Sequence, residues 1–210
     1  MAASNTIHTF WLMQCGETTW AREGRLRGHT DLPMSNSGRS AVNADIVRLS
    51  GSSITTIHHP GDEAASEAAL LVSEATGAKA KKVDDLADPD LGLLEGLTEQ
   101  MFSDRYSKRF KAWREDLMAL NPPDGENLSD ARERLFTAMA KILKKSKNNE
   151  ILFLLHPLAM GMCLCWLTNR PPDEFWTVMS EHSRLERYAM TADQLVQMVE
   201  AAQQAIQEAG

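Results

Sequence analysis

The sequence predicts an α/β protein, a three-layer α/β/α sandwich with a mostly parallel central sheet. Three observations predict it. Short apolar runs rich in β-formers alternate with amphipathic helical stripes along the chain. The run Glu150 to Leu155 is apolar enough to be buried on both faces, as strands of a parallel sheet are. Gly and Pro punctuate the junctions between elements, so strands and helices are separated by loops rather than by hairpin turns.

The elements follow in order. Ile7 to Met13 reads as the first strand, and Gly16, Gly24, Gly28 and Pro33 punctuate a long polar loop after it. Ser35 is a suitable N-cap for a helix whose stripe is Val42, Ile46, Val47 and Leu49. Ser52 to His58 is a second strand. Asp62 to Thr76 is an Ala-rich helix ending at Gly77, a residue free to take the left-handed conformation of a C-cap. Ala80 to Val83 is a short strand. Thr98 to Leu120 reads as one helix with Met101, Phe102, Tyr106, Phe110, Trp113 and Leu117 on one side. The run 121–125, Asn-Pro-Pro-Asp-Gly, ends it. Leu128 to Lys145 is a long helix, Glu150 to Leu155 a buried strand, Met160 to Thr168 a buried helix, and Pro171 to Ser180 a short one. Arg184 to Met190 alternates like a strand. Thr191 caps a final amphipathic helix over 191–210 carrying Leu195, Val196, Val199, Ala202 and Ile206. The whole chain, 1–210, reads as a single domain.

Composition excludes several classes of function. The chain has 210 residues, 22 Lys and Arg against 29 Asp and Glu, and a formal net charge of −7. Such a surface does not steer toward nucleic acid or an anionic membrane, so neither is expected as a partner. Cys15, Cys163 and Cys165 are an odd set with no disulfide framework, which points to a reducing compartment. Met1 to Thr9 has no basic region or long apolar run, and His156 and Pro157 interrupt the apolar stretch from Ile151 to Leu167. A cytoplasmic protein is expected.

In α/β sheets, sites lie at the carboxyl ends of strands. Two such ends carry chemistry: Gln14-Cys15-Gly16-Glu17 after the first strand and His156 after the buried one. The segment from Trp11 to Arg39 resembles the opening of the histidine phosphatase superfamily, the phosphoglycerate mutases and related phosphatases. That opening reads Arg-His-Gly-Glu-Thr, a Trp, Gly-Arg-Leu-x-Gly, Asp-x-Pro-Leu and Ser/Thr-x-x-Gly-Arg. Here its frame stands as Gly16, Glu17, Thr18, Trp20, Gly24-Arg25-Leu26-Arg27-Gly28, Asp31-Leu32-Pro33 and Gly38-Arg39. The resemblance continues at Leu91 to Thr98, at Gly125-Glu126, and at Leu154-Leu155-His156. It implies a phosphoglycerate mutase-like fold over residues 7–190.

The resemblance also implies where the chemistry lies. The family's first Arg and nucleophilic His fall on Gln14 and Cys15. Its second Arg falls on Glu63, when Pro60 and Ala64 are aligned. Its proton donor falls on Asp88, and its second His is kept as His156. Transfer through a phosphohistidine needs an imidazole nucleophile and cations on the phosphoryl oxygens. With Gln14 and Glu63 the pocket is about three charge units more negative than the family pattern, each contact being worth roughly 4 kcal/mol at about 4 Å and an effective dielectric of about 20. The expectation is a pseudophosphatase that binds an unidentified small molecule or protein. No cofactor is expected.

Three alternatives stay open. Cys15 and His156 could form a thiol–imidazole pair with Asp88 or Glu63 as orienter, acting as a hydrolase on a neutral or cationic substrate. A weak residual phosphatase is another. Cys15, Glu63, Asp88 and His156 are zinc-compatible side chains, although their spacing carries no metal signature, and no metal is expected. Phe175, Trp176 and the final helix are open to homodimer or partner contact, with ordinary packing the simpler reading.

Overall fold

The computed structural model describes residues 7–146 and 149–209, and within the last helix not the side chains of 202 and 204–209. The first six residues, over which a leader was read as absent, lie outside it, as do the side chains of Ala202 and Ile206. In chain order the elements are β1 (Ile7–Gln14), α1 (Thr19–Arg22), α2 (Asn36–Arg48), β2 (Ile54–His59), α3 (Glu63–Thr76) and β3 (Lys79–Lys82). There follow α4 (Glu99–Arg105), α5 (Ser107–Glu115), α6 (Leu128–Ser146), β4 (Glu150–Leu155), α7 (Pro157–Leu167), α8 (Phe175–Glu181), β5 (Leu185–Thr191) and α9 (Ala192–Ala209).

The five strands form one sheet in the order β3-β2-β4-β1-β5. The pairs β1/β4, β2/β4 and β2/β3 are parallel, and β5 runs antiparallel to β1. Successive side chains of a strand point to opposite faces, and both faces here are apolar. Phe10, Leu12, Ile151, Phe153 and Leu155 pack under α6, α7 and α9. Met13, Ile57, Leu152 and Leu154 pack under α2 and α3. This is the sandwich the alternation predicts.

Local chemistry sets the helix starts. The Ser35 side chain accepts the Gly38 N–H, and Asp62 accepts that of Ala65. Gly77 ends α3 at φ 75°, where a Cβ would be strained. Thr191 accepts the Gln194 N–H and so caps α9.

Three sequence readings need correction. The helix expected over 98–120 is two, broken at Tyr106, whose φ of −137° and ψ of 51° are not helical. The bend lets Tyr106, Phe110 and Trp113 all meet the edge of buried Phe102, with ring centroids 5.4–6.5 Å away; a straight helix would carry them past it. The helix expected from Pro171 begins as a 3-10 turn, Pro172–Glu174, before α8. On α9, Leu195 and Met198 are buried while Val196 faces outward, so the packed stripe is rotated from the expected one. The helix packs on α6.

Candidate active site

The parallel pairing of β1 with β4 brings two strand ends together. Gln14 is in register with Leu155, and the Cys15 N–H donates to the Leu155 carbonyl at 2.8 Å. Cys15 and His156 therefore follow neighbouring strands and open on one cavity of about 500 Å³, which Gln14, Arg27, Asp88 and Arg184 also line.

His156 is the N-cap residue of α7, yet its side chain caps nothing. Its Nε2 lies 2.9 and 3.0 Å from the two carboxylate oxygens of Asp62. The capping of α7 falls instead to Asp88, whose Oδ1 accepts the Ala159 N–H at 2.8 Å. Arg27 stands between the two acids, 3.8 Å from Asp62 and 3.8 Å from Asp88. Burial works against a charged His156, but the Cys15 sulfur and the Asp62 carboxylate outweigh it, while Arg27 opposes them; its pKa is pushed up to about 10. Burial likewise works against an ionised Asp62, and the bond to His156, with Arg27 behind it, holds its pKa at about 2. The pair is an imidazolium and a carboxylate, both largely out of water.

A third cation arrives from beside β5. Because β5 is antiparallel to β1, its N-terminal end lies beside the C-terminal end of β1. Arg184, just before β5, donates to Gln14 Oε1 at 2.7 Å and to the carbonyls of Gln14 and Cys15 at 3.2 Å, and its Nε lies 3.3 Å from Asp45.

Four of the residues singled out in the sequence, Gln14, Cys15, Asp88 and His156, thus share one cavity. Glu63 does not. It is exposed at the first position of α3, with its backbone N–H on Asp31 Oδ1 at 2.7 Å. The preceding residue, Asp62, turns inward instead, because the N-cap side chain must fold back over its own helix. The set Cys15, Glu63, Asp88 and His156 therefore cannot converge on a zinc ion, and among the described residues no three His, Cys, Asp or Glu are placed to hold a metal.

Sequence reasoning missed three residues. Asp62 was read only as a helix start. Arg27 stood in the quoted Gly-Arg-Leu-Arg-Gly run without a role. Arg184 carries no local signal, since only the antiparallel pairing of β5 brings it to the site. Beside Cys15 stand His156, expected from the sequence, and Arg184, which was not.

Residues 10–201 match the model of the histidine phosphatase superfamily, branch 1. The chain belongs to that superfamily. Its relatives within it include a probable phosphoglycerate mutase GpmB of Enterobacter sp. (strain 638), 26% identical over 166 residues, 77% of this chain and 75% of that protein. Phosphoserine phosphatase 1 of Hydrogenobacter thermophilus is 22% identical over 166 residues, 79% of each chain. Among solved structures, Bacillus stearothermophilus YhfR superposes with a TM-score of 0.76 at 23% identity, over 80% of this chain and 84% of that one. A mycobacterial glucosyl-3-phosphoglycerate phosphatase in complex with VO3 superposes with a TM-score of 0.72 at 21% identity, over 80% and 85%. These likenesses establish a histidine phosphatase fold with a mostly parallel five-stranded sheet. Among the described residues no helix is long and apolar enough to cross a membrane.

Proposed function

We propose that this histidine phosphatase superfamily member has lost phosphoryl transfer and acts by binding a ligand in the cavity over Cys15 and His156. The observation that carries this reading is the Asp62–His156 pair. Asp62 supplies from within the chain the anion that His156 and Arg27 would otherwise take from a phosphoryl group. Arg27 and His156 face two carboxylates, Asp62 and Asp88, and Arg184 shares Asp45 with Arg48. A phosphate dianion entering this set finds Arg27 and His156 already answered by Asp62 and Asp88, so the equatorial oxygens of its transfer transition state compete with those carboxylates. The imidazole nucleophile of the phosphohistidine route is also replaced, by the Cys15 thiol. The ligand this balance favours is neutral or zwitterionic.

Phosphatase and mutase assays test the reading. We expect no turnover of p-nitrophenyl phosphate or 3-phosphoglycerate. Turnover at the level of an active phosphatase, abolished by His156→Ala, would overturn it.

One observation favours a second reading. An imidazolium held by a carboxylate next to a thiol is the charge arrangement that favours a nucleophilic thiolate, with Asp62 rather than Asp88 or Glu63 as the orienter. Cys15 would then attack an uncharged carbonyl substrate. Cys15 is only 2% exposed, so the binding reading predicts slow alkylation by iodoacetamide at neutral pH. Rapid stoichiometric labelling of Cys15, lost in His156→Gln, would select the thiol reading.

A further inference from the structure

A second, smaller cavity of about 80 Å³ lies along the C-terminal half of α7, away from His156. Phe136, Met162, Trp166 and Phe175 give it an apolar wall, and Arg132 and Arg170 reach it. The two arginines differ in how they are answered. Arg170 pairs with Glu174 and, at 3.2 Å, with Glu181. Arg132 has a buried Nε with no hydrogen-bond partner among the described residues; burial weighs against its charge, and Asp116 offsets this only in part. A guanidinium is a rigid fork of donors that stays protonated. Leaving one buried donor unmet costs roughly 1–3 kcal/mol, more for a charged group. Such orphans in folded proteins call for a missing acceptor.

We propose that this cavity is a binding site for a small apolar carboxylate, separate from the cavity over Cys15. The carboxylate would meet the Arg132 guanidinium, which lines the cavity, in the fork geometry that guanidinium and carboxylate share. Its hydrocarbon part would lie on Phe136, Met162 and Phe175. Size limits the tail: a cavity of about 150 Å³ admits benzene, so one near 80 Å³ fits a short branched aliphatic acid. Phe175 also packs edge-on to Trp176, at 5.0 Å between ring centroids, and Trp176 lines the main cavity.

The probe is sodium isobutyrate, with isobutyramide as its uncharged counterpart. Titration is followed by the methyl resonance of Met162 in methionine-labelled protein. We expect a saturable shift with isobutyrate, binding at least about tenfold weaker for isobutyramide, and a loss of at least about tenfold in Arg132→Met, each tenfold being about 1.4 kcal/mol. Arg132→Met should fold with equal or higher thermal stability, because it removes a buried donor that has no partner. Equal binding of acid and amide, unchanged binding in Arg132→Met, or no saturable shift overturns the proposal. So does a marked fall in stability of Arg132→Met, which would mean that the guanidinium is already answered within the chain. None of these outcomes depends on what the cavity over Cys15 binds.

Discussion

Asp62 Oδ2 lies 2.9 Å from His156 Nε2, and these residues stand 94 positions apart at the ends of neighbouring strands. This contact couples the start of α3 to the start of α7. It also fixes how the site responds to pH. His156 is raised from 6.5 to about 10 on folding, so its stabilising effect is complete below pH 6.5 and is lost as pH rises through about 10. Asp62 is lowered from 3.8 to about 2, so its effect is complete above pH 3.8 and is lost as pH falls through about 2. The pair contributes most between these limits. Asp62→Asn should lose about 3–5 kcal/mol there, since it leaves His156 buried without its counter-charge. The loss should shrink as pH climbs from 6.5 toward 10. Urea unfolding of both proteins across this range checks it; a difference that grows above pH 7 contradicts the pairing.

Position 63 serves as a control for position 62. Glu63 is exposed and meets the site nowhere. Glu63→Ala should change stability by less than about 1 kcal/mol, the small effect of an acid in a helix's first turn. Asp62→Ala should cost several times as much. Thermal melts at pH 6 decide it, and equal losses at the two positions would place the inward carboxylate wrongly.

Gln14 is tied to Arg184, and that tie blocks simple restoration of the family pattern. Gln14→Arg would set one guanidinium against another and lose a hydrogen bond to a charged donor, at a cost of about 2–3 kcal/mol. Gln14→Glu would give Arg184 a counter-charge and should be tolerated. A reversed order of the two melting temperatures would show that Arg184 does not hold position 14.

Gly28 carries the loop that delivers Arg27. Its φ is +60°, and a Cβ there would come within 2.9 Å of the Leu91 nitrogen and strike the Glu95 carboxylate. That carboxylate binds the N–H groups of His29 and Thr30 at 2.7 and 3.0 Å. Gly28→Ala should cost about 1–3 kcal/mol from backbone strain alone. A stability within error of the parent would show that the loop relaxes freely.

The strands and most helix ends were legible because they rest on local chemistry: alternating apolar side chains, the capping residues Ser35 and Thr191, and Gly77 at a left-handed turn. Cys15 and His156 were legible as strand ends within a familiar frame. Tyr106 was not, because its break serves Phe102 and no Gly or Pro marks it. The exchange of Glu63 for Asp62 lies one residue from the aligned position, a distance that helix capping decides and alignment by Pro60 and Ala64 does not. Arg184 was invisible because its role follows from the direction of β5, a property of the sheet and not of any neighbouring residue.

The central claim is that the chain's own Asp62 carboxylate occupies the phosphoryl side of His156. Calorimetric titration with orthovanadate, a mimic of the transferring phosphoryl group, tests it most directly. The arms are the wild type, the variant Cys15→His, and that variant with Asp62→Ala added. The account predicts no binding to the wild type and none to the first variant, where Asp62 still answers His156. It predicts measurable binding only when Asp62 is removed as well. Tight vanadate binding to the wild type, with Asp62 intact, would contradict it.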